Sequence, residues 1–266
     1  MQKHTPNKPN PVIDKLHKIL SETPIEKAAI IELFPILKEI DEFKFYNPSS
    51  YYGILDHSIN SAELTEDLFI KRTLIFHDIG KIKTGTIIAH SDAGKIITKF
   101  PGHEMESVKM TAELLEGKID PHELYRMLLV IKYHDTPLIK DGDDSMFYGL
   151  VKKHGTRFMW DLLLHKRCDQ LTHHWERYAN KIGPEIDEAY IKLRDYEKAR
   201  LFQTLSHDTS DNTADTFSKI LPSFLTNSKI SSTPYPCNPI RGKFIINASS
   251  DFLKKNLRNS ITIPSI

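Results

Sequence analysis

His57, the pair His77–Asp78, His103, the pair His134–Asp135, and Asp169 are the residues whose types and spacing could do chemistry. Each falls at an end or on the inner face of a stretch that reads as helix. Asp169 is the most telling. It stands on the stripe Phe158, Leu162, His165, Asp169, at intervals of four, three and four, so it projects from a face that otherwise reads as core. A buried carboxylate is costly unless it is paired or bound to metal. His134 follows Ile131 by three residues and also faces inward; Asp135 is then the weaker candidate, because its neighbour holds the inward position. Divalent first-row metals accept imidazole with carboxylate and need no thiolate. Ligands drawn from separate helices are what a metal site inside a bundle requires.

His57, His77, Asp78 and Asp169 supply four ligands for one ion and leave positions for water and substrate oxygens. His103 and His134 hold a second ion nearby, with Asp78 bridging. A metal pair lowers the pKa of a bound water and clamps a phosphate's oxygens for in-line attack. Lys81, about one helical turn past His77, either meets that phosphate as a point charge or complements a helix C-terminus. Thr84 is a second candidate phosphate contact, or an ordinary loop residue. His165 and His173 flank Asp169 at four residues on either side; each is open as a rival ligand or as a partner orienting the ligands, with a packed or solvated histidine the favoured reading for both. His90, His122, His154 and His174 read as surface residues, and His207–Asp208 repeats the dipeptide in a polar segment where it carries no weight.

The elements that must position these residues are helical. Residues 1–10 read as a disordered arm, 11–206 as one all-α domain, and 207–266 as a weakly structured, irregular tail. That tail is the place for a partner or a second copy of the chain. Pro24 fits the first turn of a helix running to about Ile40. A segment starting near Gly53 carries His57 and leads into the stripe Leu64, Leu68, Ile75, Ile79, with Gly80 as its C-terminal stop. TGTIIAHSDAGKIITKF, residues 84–100, breaks the rhythm and predicts a short β-hairpin around SDAG. Helices resume after Gly102 and after Pro121, followed by a short one at about 144–153, a long one at about 156–181 and a charged one after Gly183–Pro184.

The totals exclude several classes. Charge is nearly balanced, 36 basic against 35 acidic residues, so there is no global bias toward nucleic acid or anionic membrane. Two cysteines, Cys168 and Cys237, make neither a disulfide framework nor a thiolate zinc site, which fits a reducing, cytoplasmic setting. The polar, proline-rich start MQKHTPNKPNPV is unlike a signal peptide, and no run of about 18 apolar residues exists to span a bilayer.

The order His57, His77–Asp78, Asp169 resembles the HD superfamily of metal-dependent phosphohydrolases. HDIGK, a hairpin, KFPGHEMESVKMTAELL, VIKYHDTPL and LLLHKRCDQ, over roughly residues 50–175, resemble the HD domain attached to bacterial tRNA nucleotidyltransferases, the CCA-adding enzymes. The resemblance implies an HD-domain helical bundle and one or two divalent ions (Mn, Fe, Mg, Ni or Co). It also implies hydrolysis of 2′,3′-cyclic phosphates, 2′-phosphates or other phosphomonoesters on nucleotides or RNA ends. Asp78 and Lys81 are then catalytic, with Lys81 and Thr84 meeting the substrate. The nucleotidyltransferase half is not expected, because the chain has no Gly-Ser dipeptide and Asp141–Gly142–Asp143 reads as a loop. Gly80–Lys81 stands where alarmone hydrolases of the superfamily carry acidic residues, the Gly-Tyr-Pro of the cyclic-dinucleotide branch is missing, and IGKIKTG replaces the histidine- and proline-rich segment of dNTP triphosphohydrolases. The alternatives are a nucleotide pyrophosphohydrolase or cyclic-oligonucleotide phosphodiesterase and, from another class, a non-catalytic nucleotide- or partner-binding module. Against the last, every expected ligand position is filled.

Overall fold

The computed structural model describes residues 10–45, 53–90, 95–140, 142–173 and 183–207, all within a unit spanning Met1–Ser228. A second unit, Lys229–Ile266, lies outside the described residues, as do residues 1–9 of the expected arm and all but the first residue of the expected tail.

Helix α1 (Pro11–Ser21) starts on Asn10, whose side chain accepts from the Val12 N–H, and on Pro11, which withholds no donor a first turn needs. It buries Ile13, Leu16, Ile19 and Leu20 along one stripe. The single helix expected from Pro24 to about Ile40 is instead two, α2 (Lys27–Leu33) and α3 (Ile36–Glu42), and Pro24 precedes both. Pro35 is the reason for the break, since it has no N–H to continue the helical ladder.

The stripe expected through Leu64 and Ile79 also divides. α4 (Ile54–Ala62) carries His57, and α5 (Leu68–Phe76) starts afresh at Asp67, whose carboxylate accepts from the Phe69 and Ile70 N–H groups. α5 is buried on every side from Phe69 to Phe76, its cations included. The Lys71 ammonium donates to the Leu20 carbonyl at 2.9 Å, and Arg72 meets His17 at 2.7 Å and pairs with Glu123. Such all-round burial marks the central helix, here packed on α1, α4 and the later helices Pro121–Tyr133 and Ser145–His173.

After one short turn, α6 (Lys81–Thr84), the expected hairpin forms from β1 (Thr86–His90) and β2 (Lys95–Lys99). The strands are antiparallel, with Thr86 opposite Lys99 and His90 opposite Lys95. α7 (His103–Leu115) follows Gly102, which holds φ 71° and needs a residue without a Cβ. α8 (Pro121–Tyr133) is capped by Asp120, which accepts from the His122 and Glu123 N–H groups. α9 (Ser145–His173) turns at Gly155, φ 85°, which divides it where two helices were expected. The expected continuation over 174–181 lies outside the described residues. α10 (Gly183–His207) packs on α9, where the Trp160 indole donates to Glu197 at 3.0 Å and stacks on Tyr190. The architecture is all-α with one small antiparallel sheet. No helix among the described residues is long and apolar enough to cross a membrane.

Candidate metal centre

His57 sits inside α4, His77 and Asp78 directly after α5, His103 at the first position of α7, His134 directly after α8, and Asp169 in α9. Three helix ends therefore meet the faces of two further helices, and all six residues are 5% exposed or less.

The imidazoles share one mode of attachment. His77 Nδ1–H donates to the Leu74 carbonyl at 2.7 Å, His103 Nδ1–H to Phe100 at 2.9 Å and His134 Nδ1–H to Ile131 at 2.7 Å. Leu74 and Ile131 lie in the last turns of α5 and α8, where carbonyls have no intrahelical partner. A bond from Nδ1 to a carbonyl places the ring proton there and leaves Nε2 with a lone pair. His57 reaches the same state through Thr172, whose hydroxyl donates to the Asp169 carbonyl at 2.7 Å and so accepts from His57 Nδ1 at 2.9 Å. Ser61, 2.7 Å from the same hydroxyl, donates to the His57 carbonyl at 2.8 Å.

The four Nε2 atoms converge on two carboxylates. His57 Nε2 lies 2.8 Å from Asp169 Oδ1, and His77 Nε2 lies 3.2 Å from that oxygen and 3.3 Å from Asp78 Oδ2. Asp78 Oδ1 is 3.3 Å from His103 Nε2 and 3.5 Å from His134 Nε2, and those two nitrogens are 3.3 Å apart. Lone pairs this close repel unless a proton or a cation lies between them. His77 Nε2 and Asp78 Oδ1 have no well-aligned hydrogen-bond partner among the described residues, a cost of about 1–3 kcal/mol for each buried polar atom. The ligand atoms form two triads within 4.8 Å, His57–His77–Asp78 and Asp78–His103–His134, joined through Asp78. His103, Glu104 and Asp135 form a third, more open group. These buried groups could hold one metal ion or two, and the donor set fits one: imidazole and carboxylate without thiolate suits first-row divalent metals.

Electrostatics agree. Burial by itself lowers the pKa of His77, but the Asp78 charge and the contact with Asp169 outweigh it and raise it to about 9. Burial pushes Asp78 up, and the cations of His77 and Lys81 override this to hold its carboxyl well below the usual range. His103 is likewise raised, since its bond to Asp78 exceeds the effect of burial. A centre that draws protons onto its ligands in this way is one that favours positive charge. The Lys81 ammonium supplies part of it, 2.5 Å from Asp78 Oδ2, and also lies 5.5 Å from the centre of the Phe100 ring.

Gly80 is not the left-handed helix stop expected of it. Its φ is −69°, which any residue adopts. What requires glycine is the first turn of α7 lying across it: a Cβ would stand 2.4 Å from the Ser107 nitrogen and 2.5 Å from the His103 carbonyl oxygen. The Gly80 N–H donates to Ser107 Oγ at 2.8 Å, locking the turn after His77–Asp78 to the helix that begins with His103.

Other candidates fall outside this geometry. Thr84 donates to the Gly80 carbonyl at 3.3 Å, a bond within its own turn. Asp135 is exposed, with Oδ2 3.5 Å from His103 Nε2. His154 is not at the open surface, as expected, but half-buried between Tyr133 and Phe158. The His90 and His173 side chains, His174 and Asp208 lie outside the described residues. His165, expected to be packed or solvated, is buried within the ring cluster. Ser61, Thr172, Lys166, which donates to the His134 carbonyl, and Gln170, which donates to Asp169 Oδ2 at 2.8 Å, were not anticipated. A usable signal existed for two of them: Ser61 and Thr172 lie one turn beyond His57 and Asp169. Compared with protein-family models, with curated proteins and with solved structures, the chain matches none.

Proposed function

We propose that the chain is a metal-dependent phosphohydrolase of the HD type, acting on phosphoesters of nucleotides or RNA ends. The observation that carries the reading is Asp78, fully buried and shared by two triads whose imidazoles are all anchored through Nδ1. When bound, divalent ions there supply Lewis acidity and a nucleophile at neutral pH. The imidazole-rich set favours Mn, Fe, Co or Ni over Mg, which keeps an oxygen shell.

The chain's own groups do the rest. The carbonyl and hydroxyl anchors hold the rings in place, so little reorganisation accompanies reaction. The Lys81 side chain, paired with Asp78, keeps 16% of its surface exposed, and Asp78 raises its pKa against the effect of burial. It presents a fixed positive charge to an equatorial phosphoryl oxygen. Water attacks phosphorus, the ester P–O bond breaks, and the proton of the water passes to the departing ester oxygen.

A nucleoside portion is favoured by the rings beside Lys81. Phe43, Phe45 and Phe100 form a half-buried cluster, with centroids 6.4 and 5.7 Å from that of Phe100. An aromatic surface one contact away from the phosphate-facing cation suits base stacking. The sequence has no dense lysine or arginine block near the motifs, which argues against attack along a polymer.

The test is a screen of protein loaded with Mn2+ or Ni2+ against 2′,3′-cyclic nucleotides, 2′- and 3′-monophosphates, dNTPs, alarmones and cyclic dinucleotides, with Asp169→Ala as control. Hydrolysis of the first two groups, lost in the control, is expected. Activity confined to dNTPs, alarmones or cyclic dinucleotides would displace the ester class, and stoichiometric metal without turnover of any substrate would point to a binding module.

A further inference from the structure

One imidazole of the cluster has no task in the arrangement above. His165 lies in α9 one turn before Asp169, is fully buried, and has no hydrogen-bond partner for either ring nitrogen among the described residues. Its ring stands edge-on to that of His77, centroids 5.1 Å apart, and 5.8 Å from that of His134. The rings whose nitrogens converge on the carboxylates have the same spacing: His77 to His134 5.0 Å, His103 to His134 5.2 Å, His57 to His77 5.7 Å. By ring spacing His165 lies beside the set, although its nitrogens are in neither of the two triads. By hydrogen bonding it is the exception, because each of the other four has its Nδ1 tied to an oxygen of the chain.

Packing does not explain it. A phenylalanine or leucine fills an apolar niche without two polar atoms, and burying those atoms unpaired is costly. A neutral imidazole offers a lone pair on one ring nitrogen, as a metal ligand must. Cost without a partner inside the protein is the mark of a group whose partner comes from outside it.

We propose that His165 is a fifth imidazole ligand, donating its lone pair to the metal centre from the side of His77 and His134. This rests on the metal-centre reading, and its test separates the two. Wild type, His165→Phe and His77→Ala are compared by calorimetric titration with Co2+, by the visible spectrum of the Co2+ protein, and by thermal melting without metal. His165→Phe should melt at or above wild type when metal-free, bind Co2+ about 10–100-fold more weakly, and show an altered spectrum. Wild-type affinity and spectrum in His165→Phe, while His77→Ala loses binding, would overturn the ligand role alone. Failure of wild type to bind Co2+ would overturn the centre and this inference together. Proton NMR of the Co2+-loaded wild type needs no variant: five hyperfine-shifted imidazole N–H signals support the ligand role, and four refute it.

Discussion

Replacing Gly80 by alanine tests the geometry of the centre at one atom. The backbone there is ordinary, so alanine brings no conformational strain. Its Cβ, however, would stand 2.4 Å from the Ser107 nitrogen, 2.5 Å from the His103 oxygen and 2.9 Å from the Glu106 carbonyl carbon, whereas ordinary contact begins near 3.4 Å. All three atoms are backbone, so none can swing aside. The first turn of α7 must retreat by about 1 Å, taking His103 with it. Overpacking of this kind costs about 1–3 kcal/mol. At about 2–4 °C per kcal/mol for a domain of this size, the melting temperature falls by roughly 2–12 °C. The functional effect is sharper. Metal–ligand distances tolerate about 0.2 Å, so a shift of 1 Å removes His103 from the ligand set. Gly80→Ala should therefore stay folded, keep the ion on the His57–His77–Asp169 side, lose the one on the His103–His134 side, and lose about a hundredfold in activity. Melting and metal content by mass spectrometry are the assays. Gly102→Ala is the control: its Cβ meets nothing within 4 Å but sits at φ 71°, so it costs stability without a clash. If Gly80→Ala retains two ions and wild-type melting, the close approach of α7 does not set the centre.

Three more outcomes follow from the same contacts. His77 in the metal-free protein carries a pKa raised to about 9 against an ordinary 6.5, so its bound proton stabilises the fold fully below pH 6.5. That contribution, about 3 kcal/mol, fades as pH rises through 9, where metal-free melting should fall. Metal displaces the same proton, so Mn2+ affinity should climb with pH over this window and calorimetric heats should scale with buffer ionisation; pH-independent binding would contradict the assignment. Lys81→Met should lower kcat/KM about 10–150-fold, the worth of one hydrogen bond to a charged group, without lowering metal content, because it removes a cation 2.5 Å from a ligand. Loss of metal in that variant would make Lys81 structural instead. Thr172→Val keeps the shape but takes away the acceptor for His57 Nδ1, and should weaken Mn2+ binding about 10–100-fold, while the orphaned buried N–H, at about 1–3 kcal/mol, lowers melting by roughly 2–12 °C.

The sequence carries some of these features openly and hides others for definite reasons. Caps are local bonds, with Asn10, Asp67 and Asp120 each accepting from an N–H two residues on, yet Asn10 falls in the expected disordered arm and Asp67 inside the stripe expected to run unbroken from Leu64 to Ile79. The hairpin reads well because alternation and turn residues are local too. Lys71 and Arg72 do not read as buried, since only distant partners, the Leu20 carbonyl and the pair His17 and Glu123, make their burial tolerable. Gly80 misleads because glycine has two uses, positive φ and close approach, and a letter cannot distinguish them. Only the position of α7 tells which applies.

His165 and Asp169 show where periodicity stops informing. They occupy successive positions of one apolar stripe, and the same spacing turns both inward. Charge then separated them in the sequence: a buried carboxylate demands a partner, whereas a neutral imidazole passes for an ordinary packed side chain. The fold reverses that ranking of need. Asp169 is met by His57, His77 and Gln170, each within 3.2 Å, while His165 has two nitrogens and no partner for either among the described residues. A residue type's average cost of burial locates a site from sequence. Which members still lack a partner depends on the particular atoms around them, and those come from α4, α5 and α8, helices that no local pattern in α9 could specify.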